Sequence, residues 1–192
     1  MFKSKVLVLG PCESGKSAIA NYLADATENI GGEYRPTQGV RILEYEANNL
    51  TVGSKKVSAE VELWDVSGDK KFESCWPAIA KDANGIVFVY NPDQANHDKD
   101  LEMWYTHFVS VPGLRDTQCL LFAHKKGSSS GFLGQSGGTG PPQAFSKISV
   151  VNTNLDDDGE NVRTEFEKFL SGLLNAMHDS RDKEELSIMN SK

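Results

Sequence analysis

The sequence predicts an α/β fold with a six-stranded, mostly parallel sheet and helices on both faces. Unbroken apolar runs at residues 86–90 and 119–123 are typical of central strands that are buried on both faces. Other segments have apolar residues at helical spacing, so strands and helices alternate along the chain. A loop at residues 10–17 connects the first apolar run to the first helical segment. These features favour parallel strands joined by crossover helices.

Residues 10–17, GPCESGKS, match the phosphate-binding pattern G-x-x-x-x-G-K-[ST]. The pattern requires a strand before it and a helix after it, and residues 5–9 and 17–24 predict both, which favours a binding loop over a plain glycine-rich turn. Backbone N–H groups would bind phosphates, Lys16 would neutralise them and Ser17 would bind Mg²⁺. The predicted nucleotide-binding residues of the loop are Gly10, Pro11, Cys12, Glu13, Ser14, Gly15, Lys16 and Ser17.

Composition and charge exclude several classes of protein. The 192 residues are 39% apolar, which is enough for one buried core, and nothing indicates a second domain. The net charge is −7 and the basic residues are scattered along the chain. We therefore expect neither nucleic acid nor an anionic membrane surface as a partner.

The cysteines and the two ends of the chain indicate a compartment. Cys12, Cys75 and Cys119 are odd in number and lack C-x-x-C spacing, and no signal peptide or long apolar span is present, so we expect a reducing, intracellular environment. Phe2 argues against N-myristoylation, and residues 188–192 contain no cysteine for prenylation. We expect no lipid anchor.

A hairpin is predicted between the first helix and the centre of the sheet. Residues 40–46 and 57–63 mix polar and apolar residues with a period near two, which indicates an antiparallel edge hairpin with one exposed face. Its turn is expected around Asn48, Asn49 and Gly53.

The second half of the chain predicts further helices and the last strand. Pro77 should disturb a helix at residues 71–80. The last strand is expected at residues 147–151 and the closing helix at about residues 159–178. A core-facing stripe at helical spacing is formed by Leu101, Trp104, Tyr105 and Phe108.

Two stretches are expected outside the packed core. Residues 127–143 are rich in glycine, serine and proline, and they cannot bury enough apolar surface to offset the entropy of ordering them. We therefore expect a flexible insert there. Residues 180–192 form a polar C-terminal tail that should fray, so the predicted domain spans residues 1–179.

Two further motifs follow the phosphate loop in a fixed order. Thr37 lies in a polar loop, residues 29–39, that is long enough to reach back to the phosphates. Asp65 and Gly68 form a D-x-x-G motif at the end of a strand. In this order the motifs resemble the small GTPases of the Ras superfamily, which are P-loop NTPases with a small G domain. The resemblance implies that Ser17, Thr37 and Asp65 bind Mg²⁺, and that the backbone N–H of the motif's glycine contacts the γ-phosphate.

Three segments resemble the Rab branch of that superfamily: residues 37–40 (TQGV), 64–68 (WDVSG) and 76–79 (WPAI). The likeness spans about residues 3–178 and is greatest to the Rab-like GTPase subunits of the intraflagellar transport complex B. It implies a G domain over residues 1–179, GTP or GDP with Mg²⁺ as cofactors, and other subunits of that complex as protein partners. It also implies a cytoplasmic and ciliary location, with a chain that is monomeric apart from the complex.

The base-reading segment departs from the family pattern. Small GTPases have Asn-Lys-x-Asp where residues 124–127 here read His-Lys-Lys-Gly, so the carboxylate that would accept the guanine N–H groups is absent. His124 and Lys125 remain predicted nucleotide-binding residues, with the stem of Lys125 on the base. Asn152 and Thr153 are predicted to supply the contact that a Ser-Ala-Lys loop normally gives. We expect GTP to be preferred over ATP by less than about a thousandfold.

Two positions indicate slow hydrolysis. Asp69, the catalytic candidate, replaces the family's water-orienting Gln, and a carboxylate accepts a hydrogen bond from water but donates none to the transition state. Cys12 is bulkier than the family's usual residue and restricts the space for an inserted arginine. The favoured function is a nucleotide-dependent transport-complex subunit in cilium assembly with slow or negligible hydrolysis. The alternative is a cycling small GTPase enzyme that regulates trafficking through an activating protein.

A partner-docking surface is predicted beside the loops that the γ-phosphate would order. It consists of residues 37–46 together with Phe72 and Trp76. The alternative is that the two aromatic residues pack beneath the neighbouring helix.

Overall fold

The fold is a single six-stranded sheet in the order β2-β3-β1-β4-β5-β6. The computed structural model describes residues 2–26, 35–94, 96–127 and 140–190. Strand β2 is antiparallel to β3, and every other neighbouring pair is parallel, as the sequence predicts. The strands are β1 (Phe2–Leu9), β2 (Val40–Val52), β3 (Lys55–Val66), β4 (Gly85–Tyr90), β5 (Cys119–His124) and β6 (Ser149–Thr153).

Helices cover both faces of this sheet, which confirms the predicted architecture. Apolar residues of α1 and α4 pack on one face, and those of α2 and α3 pack on the other. The helices of the described ranges are α1 (Lys16–Leu23), α2 (Trp76–Ala80), α3 (His97–Tyr105) and α4 (Leu155–Asn190). Shorter helical turns are formed by Lys70–Cys75, Thr106–Ser110, Asp116–Gln118 and Gln143–Phe145.

Strand β1 divides the apolar core into two clusters. Val6 and Val8 belong to the cluster under α1 and α4, whereas Leu7 and Leu9 belong to the cluster under α2 and α3. The residues divide in this way because successive side chains of a strand point to opposite faces, and all four are fully buried because helices cover both faces. The carboxyl end of β1 is therefore held firmly where the phosphate loop begins.

The β2–β3 hairpin is longer than the sequence predicts. Both strands extend to a turn at Gly53, so Asn48 and Asn49 lie within β2, beside a register shift, and not in the turn. The predicted exposed face is present, with Glu44 opposite Glu62 across the two strands. Gly53 adopts the left-handed conformation (φ 58°) that the tight turn requires.

The segment before α2 resolves the role of Pro77. The sequence predicts one disturbed helix over residues 71–80, whereas the structure has a 3₁₀ turn at Lys70–Cys75 followed by α2. Pro77 lies in the first turn of α2. Proline is well tolerated there because the N–H that it lacks would have no helical partner.

Helix α4 extends beyond its predicted end near His178 and continues to Asn190, so the predicted end of the closing helix is wrong. That the tail frays stays a prediction. Six of residues 179–190 are Arg, Lys, Glu, Leu or Met, which have high helix propensity. Asp158 departs from helical geometry near the start, so the regular part of α4 begins close to the predicted Gly159. No helix in the described ranges is long and apolar enough to cross a membrane.

Two predicted loops lie partly outside the described residues. Most of the predicted insert at residues 127–143 falls in residues 128–139, which are not described. The loop that contains Thr37 begins within residues 27–34, which are also not described. Between β5 and β6 the described residues include a short turn in which Phe145 is buried against Phe88.

Trp76 is a core residue, so the prediction that it docks a partner is wrong and the packing alternative is confirmed. Only 2% of its surface is exposed, and its ring lies 4.6 Å from Trp104 and 5.5 Å from Phe108 between ring centroids. His107 contacts it edge-on at 5.0 Å. Phe72 is half-buried. The aromatic cluster anchors α2 to α3.

Replacing Trp76 with Ala should lower the free energy of unfolding by about 3–5 kcal/mol, because it opens a cavity in this cluster. Chemical denaturation measures the change. Phe72→Ala is the matched control, and its half-buried ring should cost less than half as much. An equal loss in both variants would contradict the core role of Trp76.

Candidate functional site

The phosphate loop connects β1 to α1 and depends on two glycines. A Cβ atom at Gly10 would collide with the carbonyl oxygen of Val89, and one at Gly15 would lie 2.5 Å from Cδ2 of His124. Both glycines have positive φ angles, 149° and 97°, as does Glu13 at 59°. Such a turn aims successive backbone N–H groups at one point at the N-terminus of a helix, which is the arrangement that binds phosphate.

Lys16 places a buried ammonium group on this loop. The residue is 6% exposed, and its Nζ donates a hydrogen bond of 2.6 Å to the carbonyl oxygen of Pro11. Burial lowers the pKa of Lys16 to about 8, while the negative charge of Asp65 acts in the opposite direction. A phosphate group would restore the favourable interactions that the charged form loses on burial.

The three predicted metal ligands converge from separate segments. Ser17 is in the first turn of α1, Thr37 precedes β2, and Asp65 is near the end of β3. Ser17 Oγ donates to Asp65 Oδ2 at 2.6 Å and lies 3.0 Å from Thr37 Oγ1, which itself lies 3.2 Å from Asp65 Oδ2. The structure therefore places all three oxygen groups together.

Asp65 is suited to a hard cation. It is fully buried, and its Oδ1 has no hydrogen-bond partner among the described residues. Arg41 Nη2 lies 3.5 Å from its other oxygen, Oδ2. A buried carboxylate oxygen beside two hydroxyl groups fits Mg²⁺, which prefers oxygen ligands and retains several waters. The described residues contain no cluster of three His, Cys, Asp or Glu side chains that would indicate another type of metal site.

The D-x-x-G segment packs directly on the phosphate loop. A Cβ atom at Gly68 would collide with backbone atoms of Pro11 and Cys12, so only glycine permits this approach. The backbone of Gly68 therefore lies against the phosphate loop, and its contact with a γ-phosphate stays a prediction.

Asp69, the predicted catalytic residue, is occupied by local interactions. Its Oδ1 accepts a hydrogen bond of 3.0 Å from the Lys71 backbone, and its Oδ2 lies 3.1 Å from Lys71 Nζ. These bonds lower the pKa of Asp69, so the side chain is a carboxylate that caps the following 3₁₀ turn. Its role in hydrolysis remains a prediction.

Two of the predicted base-contact residues are buried and two are exposed. His124 is 3% exposed and lies beneath the phosphate loop, and Thr153 is buried beside it. Lys125 is half-exposed, with its Nζ 3.6 Å from Asp93 Oδ1. Asn152 is exposed on the edge strand β6. The structure thus brings His124, Lys125 and Thr153 together.

Asn154 directly follows the predicted base-contact residue Thr153 and is not among the site residues predicted from the sequence. Its Nδ2 donates a hydrogen bond of 2.9 Å to the carbonyl oxygen of Gly127. Its Oδ1 accepts a hydrogen bond of 2.9 Å from the backbone N–H of Asp156. It therefore links the segment after β5 to the start of α4. The available signal was an Asn immediately before the acidic first turn of a helix, a position that favours capping.

Comparisons with known proteins agree with this site. The family model "Ras of Complex, Roc, domain of DAPkinase" matches residues 5–127. The Homo sapiens protein "Intraflagellar transport protein 22 homolog" is 51% identical over 192 residues, covering 98% of this chain and 100% of the relative. "Intraflagellar transport protein 22" of Trypanosoma brucei brucei is 31% identical, covering 88% of this chain and 85% of the relative.

Solved structures share the fold along the chain. "T. brucei IFT22/74/81 GTP-bound crystal structure" superposes with a TM-score of 0.71 at 29% identity, covering 94% of this chain and 99% of the other. "T. brucei IFT22 GDP-bound crystal structure" gives 0.68 at 30% identity, covering 91% and 97%. The resemblance to the small GTPases is therefore confirmed, and this chain belongs to the intraflagellar transport protein 22 family.

Proposed function

We propose that this chain is a Rab-like GTP-binding subunit of the intraflagellar transport complex B and acts in cilium assembly. The observation that carries the proposal is the convergence of Ser17, Thr37 and Asp65 beside the buried ammonium of Lys16. The crystal structures of the T. brucei relative, described as GTP-bound and GDP-bound, support guanine nucleotides as ligands.

The nucleotide and Mg²⁺ would be held by groups of different charge. The loop N–H groups and Lys16 bind the phosphates, and Ser17, Thr37 and Asp65 hold the cation. Ser14 Oγ is fully buried without a hydrogen-bond partner among the described residues, so it is a further candidate for a phosphate contact. Mg²⁺ supplies positive charge that neutralises the phosphates.

The bound nucleotide would control a docking surface for other subunits of the complex. Thr37 lies beside Ser17, and Gly68 packs on the phosphate loop. Loss of the γ-phosphate would therefore release the segment before β2 and the segment after β3. Ile42, 46% exposed on β2, and half-buried Phe72 are apolar groups beside these segments. The relative in the T. brucei 22/74/81 structure is itself in a complex, which supports protein partners. The location is cytoplasmic and ciliary, with a monomeric chain apart from the complex.

Hydrolysis would be slow because Asp69 is engaged by Lys71 and supplies no amide donor. The second candidate function, a cycling GTPase driven by an activating protein, requires another group to position water. Water positioning and arginine insertion together contribute roughly 10³–10⁵ in rate.

Replacing Lys16 with Ala should weaken Mg²⁺–GTP binding by at least about tenfold, or ~1.4 kcal/mol, because the buried positive charge is lost. A calorimetric titration measures the affinity. Lys56→Ala is the control, since this exposed lysine lies near the far end of the hairpin and should leave affinity unchanged. Equal affinities for Lys16→Ala and the unaltered chain would remove the proposal.

Intrinsic GTP turnover should be no faster than roughly 10⁻⁴ s⁻¹, measured as a single turnover with excess protein. Asp69→Gln should raise the rate, because a Gln amide both accepts from water and donates to the transition state. Asp69→Asn, whose amide is shorter, is the matched control and should not raise it. Turnover of the unaltered chain above roughly 10⁻² s⁻¹ would favour the cycling enzyme instead.

A further inference from the structure

His124 fills a space between the phosphate loop and the last strand of the sheet. Its ring packs against Gly15, where an added Cβ would lie 2.5 Å from Cδ2 and 3.1 Å from Nε2. On its other side, Nδ1 is hydrogen-bonded to Thr153 Oγ1 at 3.1 Å. The backbone N–H of the next residue, Lys125, donates a hydrogen bond of 3.0 Å to the Thr153 carbonyl. Pairing of β5 with β6 therefore fixes the backbone from which the His124 ring extends.

The imidazole contributes shape and hydrogen bonding rather than charge. Burial lowers the pKa of His124, and the positive charge of Lys126 lowers it further. Asp156 and a hydrogen bond at the Thr153 backbone act in the opposite direction. The neutral ring therefore dominates near neutral pH, and it presents one donor and one acceptor nitrogen.

We propose that His124 is a positioning residue that holds Gly15, and with it the phosphate-binding N–H groups of the loop, against the end of β6. This rests on the proposed function, because the loop is taken to bind the phosphates of a nucleotide. In this role His124 acts on the phosphates through Gly15 and makes no contribution to recognition of the base. Its 3% exposure agrees with a residue beneath the loop.

A ligand without a base separates the two roles. Affinities for Mg²⁺–GTP and for Mg²⁺–tripolyphosphate are measured on the full chain and on His124→Ala. Losing the ring frees Gly15 and leaves the Thr153 hydroxyl without its partner. The affinity for GTP should fall about tenfold, and the affinity for tripolyphosphate should fall by the same factor.

Two further variants exclude a merely structural effect. His124→Asn keeps a polar side chain that can reach Thr153, and it should bind both ligands at least about threefold better than His124→Ala. His178→Ala is the matched control, because His178 is exposed on α4 and pairs with Asp182. It should bind both ligands like the unaltered chain. The thermal unfolding midpoints of all variants are compared in parallel.

Each outcome supports or overturns the proposal. A loss confined to GTP would show that His124 contacts the base, and an unchanged affinity for both ligands would show that it positions nothing. If the unaltered chain bound neither ligand, the proposed function would fail first. If His124→Ala does not fold, Thr153→Val takes its place: it keeps the shape but removes the hydroxyl, and it should weaken both ligands by one common factor. Unequal factors, or none, would overturn the proposal.

Discussion

Two opposite charges buried at the end of the sheet are the constraint on which the site depends. Lys16 is almost fully buried on the phosphate loop, and Asp65 is fully buried near the end of β3. Burying an ion costs several kcal/mol unless other groups compensate, yet the hydrogen bond from Lys16 goes to a neutral carbonyl, and one oxygen of Asp65 has no partner in the described part of the chain. The other oxygen of Asp65 already lies 3.5 Å from Arg41 Nη2. A magnesium nucleotide would add an anion for the ammonium group and a further cation for the carboxylate.

The sequence predicted the fold and the phosphate side of the site because their signals are local. A glycine-rich loop between an apolar run and a helix has few alternatives, and the parallel strands 86–90 and 119–123 are recognisable from composition alone. The convergence of Thr37 with Asp65 follows from the family motif order. The ends of strands and helices were harder to predict. Asn48 stays in β2 through a register shift, and α4 continues past His178 because of helix propensity. Neither feature has a strong local signal in the sequence.

The base side could not be predicted from the sequence because its contacts are tertiary. Gly127 shows only that a carboxylate is missing. The structure adds that Asn154 links the Gly127 carbonyl to the start of α4, and that the ring of His124 packs against Gly15. Trp76 was ambiguous for the same reason, since its environment is made by α3, which is distant in sequence. The sequence of the phosphate loop thus keeps the family pattern, whereas residues 124–127 depart from it.

The identity of the nucleotide that co-purifies with the protein tests the central claim most directly. The full chain is purified in the presence of Mg²⁺ and denatured, and the released nucleotide is identified by chromatography and mass spectrometry. The buried charges of Lys16 and Asp65 would be stabilised by a phosphate ligand with a cation, and the T. brucei crystal structures described as GTP-bound and GDP-bound favour guanine. We expect GTP or GDP. An adenine nucleotide, or no nucleotide at all, would contradict the account.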